Sequence, residues 1–267
     1  MLIEKAQALV SKCIADPEII ALYEKGDRKS RHQTKHDIDH ALQVMRLAEK
    51  IANMLQIERK AMFDEGTTSV VIPMAAFLHD IGRAFDVDDH AKAGAKWARG
   101  YLSRLTVSES DQEVLPVEVI NRICRIIAMH RSSVVLKRDF NDGAWAVVVL
   151  ADKCVGDEDR VRPDKAMVLE ALTTLRLLWL PLPISVHDRA NFAIKRADVE
   201  LRNREIVLVV DLDQRVARPD LIYNLYGDRF YACAKAAKFF GVAFLMEFNG
   251  VTFAYDTVRK SWAPRAV

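Results

Sequence analysis

Along most of the first 180 residues, apolar positions recur at intervals of three and four, the spacing of one buried helical face. Ile38, Ala41, Leu42, Met45, Ala48, Ala52 and Leu55 form the clearest stripe and predict a helix over residues 37–57. Shorter stretches predict helices over residues 1–15, 16–24, 88–105 and 115–131. Asp16 before Pro17 supplies a cap and a first-turn proline. The polar stretch 25–34 between them reads as a loop. The runs 70–78 and 144–151 are apolar throughout and predict buried helices over residues 68–82 and 144–154. Pro73 inside the first demands a later start or a kink. Asn141-Asp142-Gly143 can cap the second. A helix over residues 163–180, opening on Pro163, follows.

Leu-Pro-Leu-Pro at 180–183 interrupts the helical pattern and is the best boundary. Residues 186–204 read as a charged helix. From Ile206 the pattern becomes β-branched, Ile-Val-Leu-Val-Val-Asp-Leu, which is a strand. Residues 219–240 read as a helix with a break near Gly227. The runs 242–248 and 251–255 flank Asn249-Gly250, a pair suited to the type I′ turn of a hairpin. The expected architecture is mainly α: a helical domain over residues 1–183, then, over 184–267, a charged linker helix and a small α/β (α+β) unit.

Composition narrows the class. Apolar residues make up 51% of the 267, which excludes a disordered chain. With 39 basic and 37 acidic residues the net charge is +2, giving no global attraction to nucleic acid or an anionic membrane. Cys13, Cys124, Cys154 and Cys233 are far apart and form no CxxC pair, so structural zinc and a disulfide framework are not expected. Cys124 and Cys154 read as buried thiols without chemistry. The first residues lack the unbroken apolar stretch of a signal peptide, and no apolar run reaches the roughly 18 residues of a membrane span. A cytoplasmic location is expected.

Chemistry gathers at the end of the run 74–82, Met-Ala-Ala-Phe-Leu-His-Asp-Ile-Gly. His79 and Asp80 either satisfy each other or hold a metal ion. Asp152 likewise ends an apolar run, and a buried carboxylate is costly unless paired or metal-bound. His40, His79, Asp80 and Asp152 would supply two imidazoles and two carboxylates, a set suited to Mn, Fe, Co, Mg or Zn. One or two ions are expected: Asp80 has two oxygens and could bridge to a second ion held by His90 and His130, about 3.5–4 Å from the first. The bland alternatives are a hydrogen-bonded His79–Asp80 pair and ordinary half-buried histidines at 90 and 130. His32 and His187 read as surface residues. The acidic stretch 86–89 lacks EF-hand spacing and reads as a cap for the helix near His90.

The order His40, His79-Asp80, Asp152, with Leu-His-Asp-Ile-Gly around the dyad, resembles the HD-domain superfamily of metal-dependent phosphohydrolases. The resemblance covers residues 20–180 and implies an HD-type helical bundle. His90 before Ala-Lys-Ala-Gly-Ala, and His130 after Ile-Ile-Ala-Met, resemble the two further histidines of its binuclear members. It implies metal-activated water attacking phosphorus. Arg131-Ser-Ser after His130, with no Gly-Tyr-Pro, disfavours the cyclic dinucleotide hydrolases. Ile-Gly-Arg-Ala-Phe after the dyad disfavours the guanosine tetraphosphate hydrolases. His36 lies four residues before His40, on the same face if the helix begins early enough, and is a candidate general acid.

The expected function is hydrolysis of a phosphoester or phosphoanhydride, with a nucleotide or related small phosphorylated metabolite as substrate. Asp80, His36 and Lys153 are the candidate catalytic residues. Arg131 and Lys153, directly adjacent to ligands, and then Arg83 and Arg160 are the candidate phosphate ligands, because guanidinium and ammonium groups there would meet the substrate's anion; for Arg83 and Arg160 a salt-bridged surface role is the alternative. The C-terminal unit would close the pocket, form a contact between copies in a homo-oligomer, or select the substrate. No membrane or nucleic-acid partner is expected. The alternatives are a metal- or nucleotide-binding sensor with the same fold, and an RNA phosphodiesterase, against which the balanced charge argues.

Overall fold

The computed structural model describes residues 3–30, 33–105, 115–178, 184–256 and 261–265. The chain forms two compact units, Met1–Arg31 with His36–Asp152, and His32–Lys35 with Lys153–Val267. His32 and the 180–183 boundary stretch lie outside the described residues.

The first unit is helical. It contains α1 (Ile3–Ile14), α2 (Pro17–Lys29), α3 (Ile38–Ile57), α4 (Ile72–Leu78), α5 (His90–Leu102), α6 (Val117–Met129), the single turn α7 (Ser132–Val135) and all but the last two residues of α8 (Gly143–Cys154). Asp16 caps α2 by accepting from Glu18 N at 2.8 Å. Helix α2 outlasts the sequence expectation by five residues, running through Lys29 where a loop was expected. Its C-terminal turn is held by tertiary packing: Gly26 lies against Arg83 and Ala84, and Lys29 Nζ donates to Ala84 O at 2.8 Å. Helix α3 buries Ala41, Val44, Met45, Ala48, Ile51, Ala52 and Leu55 and packs on α4.

Pro73 leaves a distinct mark. A π-helical stretch, Thr67–Val71, precedes α4 and places the proline in the first turn of the α-helix proper. The missing N–H therefore interrupts no α-helical ladder. All seven residues of α4 are buried. The helix expected to reach residue 82 stops at Leu78, and a separate 3₁₀ turn, Ile81–Ala84, follows the dyad. In α8 every residue from Ala144 to Ala151 is no more than 2% exposed. Asp142 caps it, accepting from Ala144 N at 2.9 Å, and Trp145 Nε1 donates to Met129 O at 3.0 Å, tying α8 to the end of α6.

The second unit holds α9 (Pro163–Thr174), α10 (Val186–Ala193), β1 (Ile194–Arg202), β2 (Glu205–Leu212), α11 (Pro219–Leu225), α12 (Gly227–Phe239), β3 (Ala243–Phe248), β4 (Val251–Asp256) and β5 (Ser261–Pro264). The strands lie in the order β1-β2-β3-β4-β5. The β2–β3 pair is parallel and the others antiparallel. A row of opposed residues, Val199, Leu208, Met246 and Phe253, crosses four strands, all buried. Helix α12, one of the two in the β2–β3 crossover, packs on β3. Asn249 and Gly250 both have positive φ (49° and 84°), as the type I′ turn requires.

Two expectations fail here. The charged helix over residues 186–204 is a helix only to Ala193; the remainder is β1. Its charges alternate with Ala197, Val199 and Leu201 at the two-residue period of a strand, and β2 supplies the partner. The helix expected to reach residue 180 ends at Thr174, and Arg176 takes a left-handed φ of 56° just beyond it. Among the described residues no helix is long and apolar enough to cross a membrane.

Candidate metal centre

Six side chains of the helical unit converge, and each stands near a helix end. His40 lies in the first turn of α3, where Asp37 caps the helix and accepts from His40 N at 3.2 Å. His79 and Asp80 follow α4, His90 opens α5, His130 follows α6, and Asp152 lies in the last turn of α8. All six are buried, between 0% and 7% exposed. Their donor atoms form two triads, His40–His79–Asp152 and Asp80–His90–His130, each with its ligand atoms within 4.8 Å of one another.

Three histidines share one orienting device. His79 Nδ1 lies 2.7 Å from Ala76 O, His90 Nδ1 2.9 Å from Val87 O and His130 Nδ1 2.7 Å from Ile127 O. A carbonyl only accepts, so each Nδ1 carries the proton and each Nε2 presents its lone pair. In every case the carbonyl is three residues earlier, so the local turn itself sets the tautomer. Fixing the far nitrogen in this way is the usual support for an imidazole ligand.

The lone pairs then face electron-rich neighbours. His90 Nε2 lies 3.3 Å from His130 Nε2 and 3.2 Å from Asp80 Oδ1, and His130 Nε2 lies 3.7 Å from that oxygen. His79 Nε2, fully buried, has no hydrogen-bond partner and stands 3.6 Å from both Asp80 Oδ2 and Asp152 Oδ1. Ligand atoms sharing an ion through bonds of about 2.1 Å must lie about 3.0–3.4 Å apart. The Asp80–His90–His130 separations, 3.2–3.7 Å, and the His79–Asp152 separation, 3.6 Å, are at or slightly above that spacing, and the donor set of both triads matches a divalent cation. The residues present therefore fit a metal.

Asp80 joins the triads, with Oδ1 toward His90 and His130 and Oδ2 toward His79. Arg83 Nε donates to Oδ2 at 3.0 Å. Burial pushes the Asp80 carboxyl up, but Arg83, His79 and His90 together hold it well below the usual range. Burial lowers the His90 imidazole, with Asp80 opposing. The rings of His79 and His130 lie 5.2 Å apart, centroid to centroid.

Backbone packing sets these positions. A Cβ on Gly82 would lie 1.9 Å from His90 O and 2.3 Å from Gly94 N, so the turn after the dyad lies directly on the first turns of α5. Tyr23 OH, buried on α2, donates to Phe77 O two residues before His79.

The remaining candidates stand as follows. His36 is outside the helix, one residue before the cap, with its ring 5.6 Å from that of His40. Arg83 is only 11% exposed and directs Nε at Asp80. Arg131 donates to Asp88 O. Lys153, half-buried, follows Asp152 on α8. Arg160, 6% exposed, donates Nε and Nη2 to Lys35 O. His187 is exposed, as expected. Asp86 Oδ1 accepts from Asp88 N and Asp89 N, both at 2.9 Å, in the turn that leads into α5. The glycine contact between Gly82 and Gly94 was not anticipated. Its signals were a glycine two residues after Asp80 and another four after His90.

A comparison with curated proteins found no match. The family model described as HD domain matches residues 37–171, from the cap of α3 into α9, just over half of the chain. That span takes in all six converging side chains, and HD domains bind divalent metals. The chain belongs to the HD-domain superfamily of metal-dependent phosphohydrolases.

Proposed function

We propose that the six residues hold two divalent ions, one per triad, with Asp80 reaching both. The site would hydrolyse a phosphoester or phosphoanhydride of a nucleotide or related small phosphorylated metabolite. The observation that carries this reading is the pair of three-ligand groups joined at Asp80. When bound, such ions make water acidic enough to lose a proton near neutral pH and offset charge on phosphoryl oxygens.

The chain's own groups do the rest. The carbonyls of Ala76, Val87 and Ile127 keep three imidazoles in the coordinating tautomer. Arg83 holds the Asp80 carboxylate ionised and oriented, a role that its Nε contact favours over phosphate binding. Arg131 and Lys153, each adjacent in sequence to a ligand residue, are proposed to meet the substrate's phosphate. Arg160 has two of its donors on a backbone carbonyl, which leaves fewer for substrate. His36, beside His40, is the proposed proton donor to the leaving group.

The test is a screen of nucleotides and phosphoesters with Mn, Fe, Co and Mg, run on the intact chain and on Asp80→Ala. Turnover that Asp80→Ala abolishes supports the proposal. A fully active Asp80→Ala would overturn it. Metal retention without turnover on any substrate would favour the sensor reading instead.

A further inference from the structure

We propose that Cys154 and Cys233 are a modification site: hydrogen peroxide converts them to a disulfide that joins the end of α8 to α12. Both belong to the second unit. Their Sγ atoms are 3.9 Å apart, although the residues are 79 positions apart in sequence. Both are buried, at 3% and 0% exposed. A disulfide needs its sulfurs about 2.05 Å apart, so the two must close by just under 2 Å.

The class of oxidant follows from what adjoins the pair. Cys154 lines a small pocket, partly open to solvent and with room of about 20 Å³, that it shares with Gly156, Asn191, Tyr226 and Arg229. That volume admits a molecule about the size of water. Peroxide is such a molecule, and glutathione disulfide is far larger. Asn191 is 2% exposed, and its Nδ2 donates to His187 O at 2.8 Å and Tyr226 OH at 3.0 Å. Its Oδ1, also buried, has no hydrogen-bond partner.

The two sulfurs therefore have different parts. Cys154 borders the cavity and reacts first. Its sulfur attacks one peroxide oxygen, the O–O bond breaks, and the departing hydroxide takes the thiol proton to leave as water. The product is the Cys154 sulfenic acid. Cys233, fully buried behind it, attacks that sulfur, and the S–O bond breaks. The Cys233 proton leaves with the hydroxyl as a second water. Two electrons pass from the thiols to peroxide, and the loop closed by the bridge constrains the unfolded chain.

The experiment uses the full chain, reduced, freed of reductant and treated with hydrogen peroxide. Remaining thiols are alkylated and the peptides analysed without reduction. The expected result is one cross-linked pair, Cys154 with Cys233, while Cys13 and Cys124 stay alkylatable. Cys233→Ser should stop at a Cys154 sulfenic acid that dimedone traps, and Cys154→Ser should keep its other thiols. The oxidised protein should unfold at higher urea than the reduced one, reversibly with dithiothreitol, and glutathione disulfide should leave the folded protein unchanged. The proposal is overturned if all four thiols of the treated wild type remain alkylatable. A Cys154 sulfinic acid without a bridge, or cross-linking only after urea, overturns it equally.

Discussion

His90 and His130 turn bare nitrogens toward each other: their Nε2 atoms lie 3.3 Å apart while each Nδ1 is held by a backbone carbonyl. Two lone pairs at that distance repel unless a cation lies between them. Asp80 Oδ1, 3.2 Å from His90 Nε2, adds negative charge at the same point. A protein with no cation to hold would pair these groups with donors instead.

The first prediction separates the triads. His90→Ala should lower the bound metal by one ion per chain and leave the ion at His40, His79 and Asp152. His79→Ala should remove that other ion. Metal analysis beside a thermal melt checks both, since each variant should keep its fold. Equal metal content in His90→Ala and the wild type would refute the assignment of the second triad.

The second concerns the glycine contact. Gly94→Ala would place a Cβ 3.1 Å from Gly82 N, a displacement of a few tenths of an ångström. Weaker metal binding at the second triad is expected, by about tenfold or more, as for other changes to the support of metal ligands. Gly82→Ala would meet His90 O at 1.9 Å and must push α5 away. It should lose the second ion altogether and cost about 1–3 kcal/mol of stability or more, of the order of other overpacked sites. Calorimetric metal titration tests the pair, and unchanged affinity in both variants would exclude the contact as a positioning device.

Much of this was readable in advance, for physical reasons. His79, Asp80 and Asp152 stand where apolar runs end, and a charge there needs compensation, so sequence alone singles them out. The stripe of α3 was legible because its face is buried along the whole helix. What escaped depends on distant partners. Residues 194–202 alternate polar and apolar side chains, but become a strand only because residues 205–212 pair with them. The Gly82–Gly94 contact joins two helical segments whose approach no local pattern encodes. Arg83, by contrast, has its partner close in sequence: its Nε meets Asp80, three residues earlier.

The third prediction is a pH dependence away from the metal centre. Asp142 accepts from Arg122 Nε and Nη2, Arg125 Nη2 and Ala144 N, all at 2.9 Å. Burial raises its carboxyl, but the Arg122 hydrogen bonds and charge, Ala144 N and Arg125 outweigh it and hold the pKa below the usual value. A depressed carboxyl stabilises the fold fully above its unfolded pKa of about 3.9, and the contribution fades as pH falls through the folded value. Asp142→Asn should cost about 1–3 kcal/mol at neutral pH, the range for hydrogen bonds to charged groups. Denaturant melts should show the gap between variant and wild type closing below about pH 4. A gap constant down to pH 2 would contradict the assignment.

The fourth concerns the strut behind the dyad. Tyr23→Phe leaves the buried Phe77 carbonyl without its hydroxyl donor. A loss of about 1–2 kcal/mol is expected, close to the cost of an unmade buried hydrogen bond. For a chain of this size that is a melting shift of several degrees, about 2–4 °C per kcal/mol. Thermal melting checks it, and an unchanged midpoint would remove Tyr23 from the support of α4.

The central claim is tested most directly by counting metal in the protein purified without a metal-binding tag, after equilibration with Mn, Fe, Co or Mg and removal of free ion. Two ions per chain, falling in Asp80→Ala, is the predicted result. One ion per chain that Asp80→Ala retains, or none at all, would contradict the account.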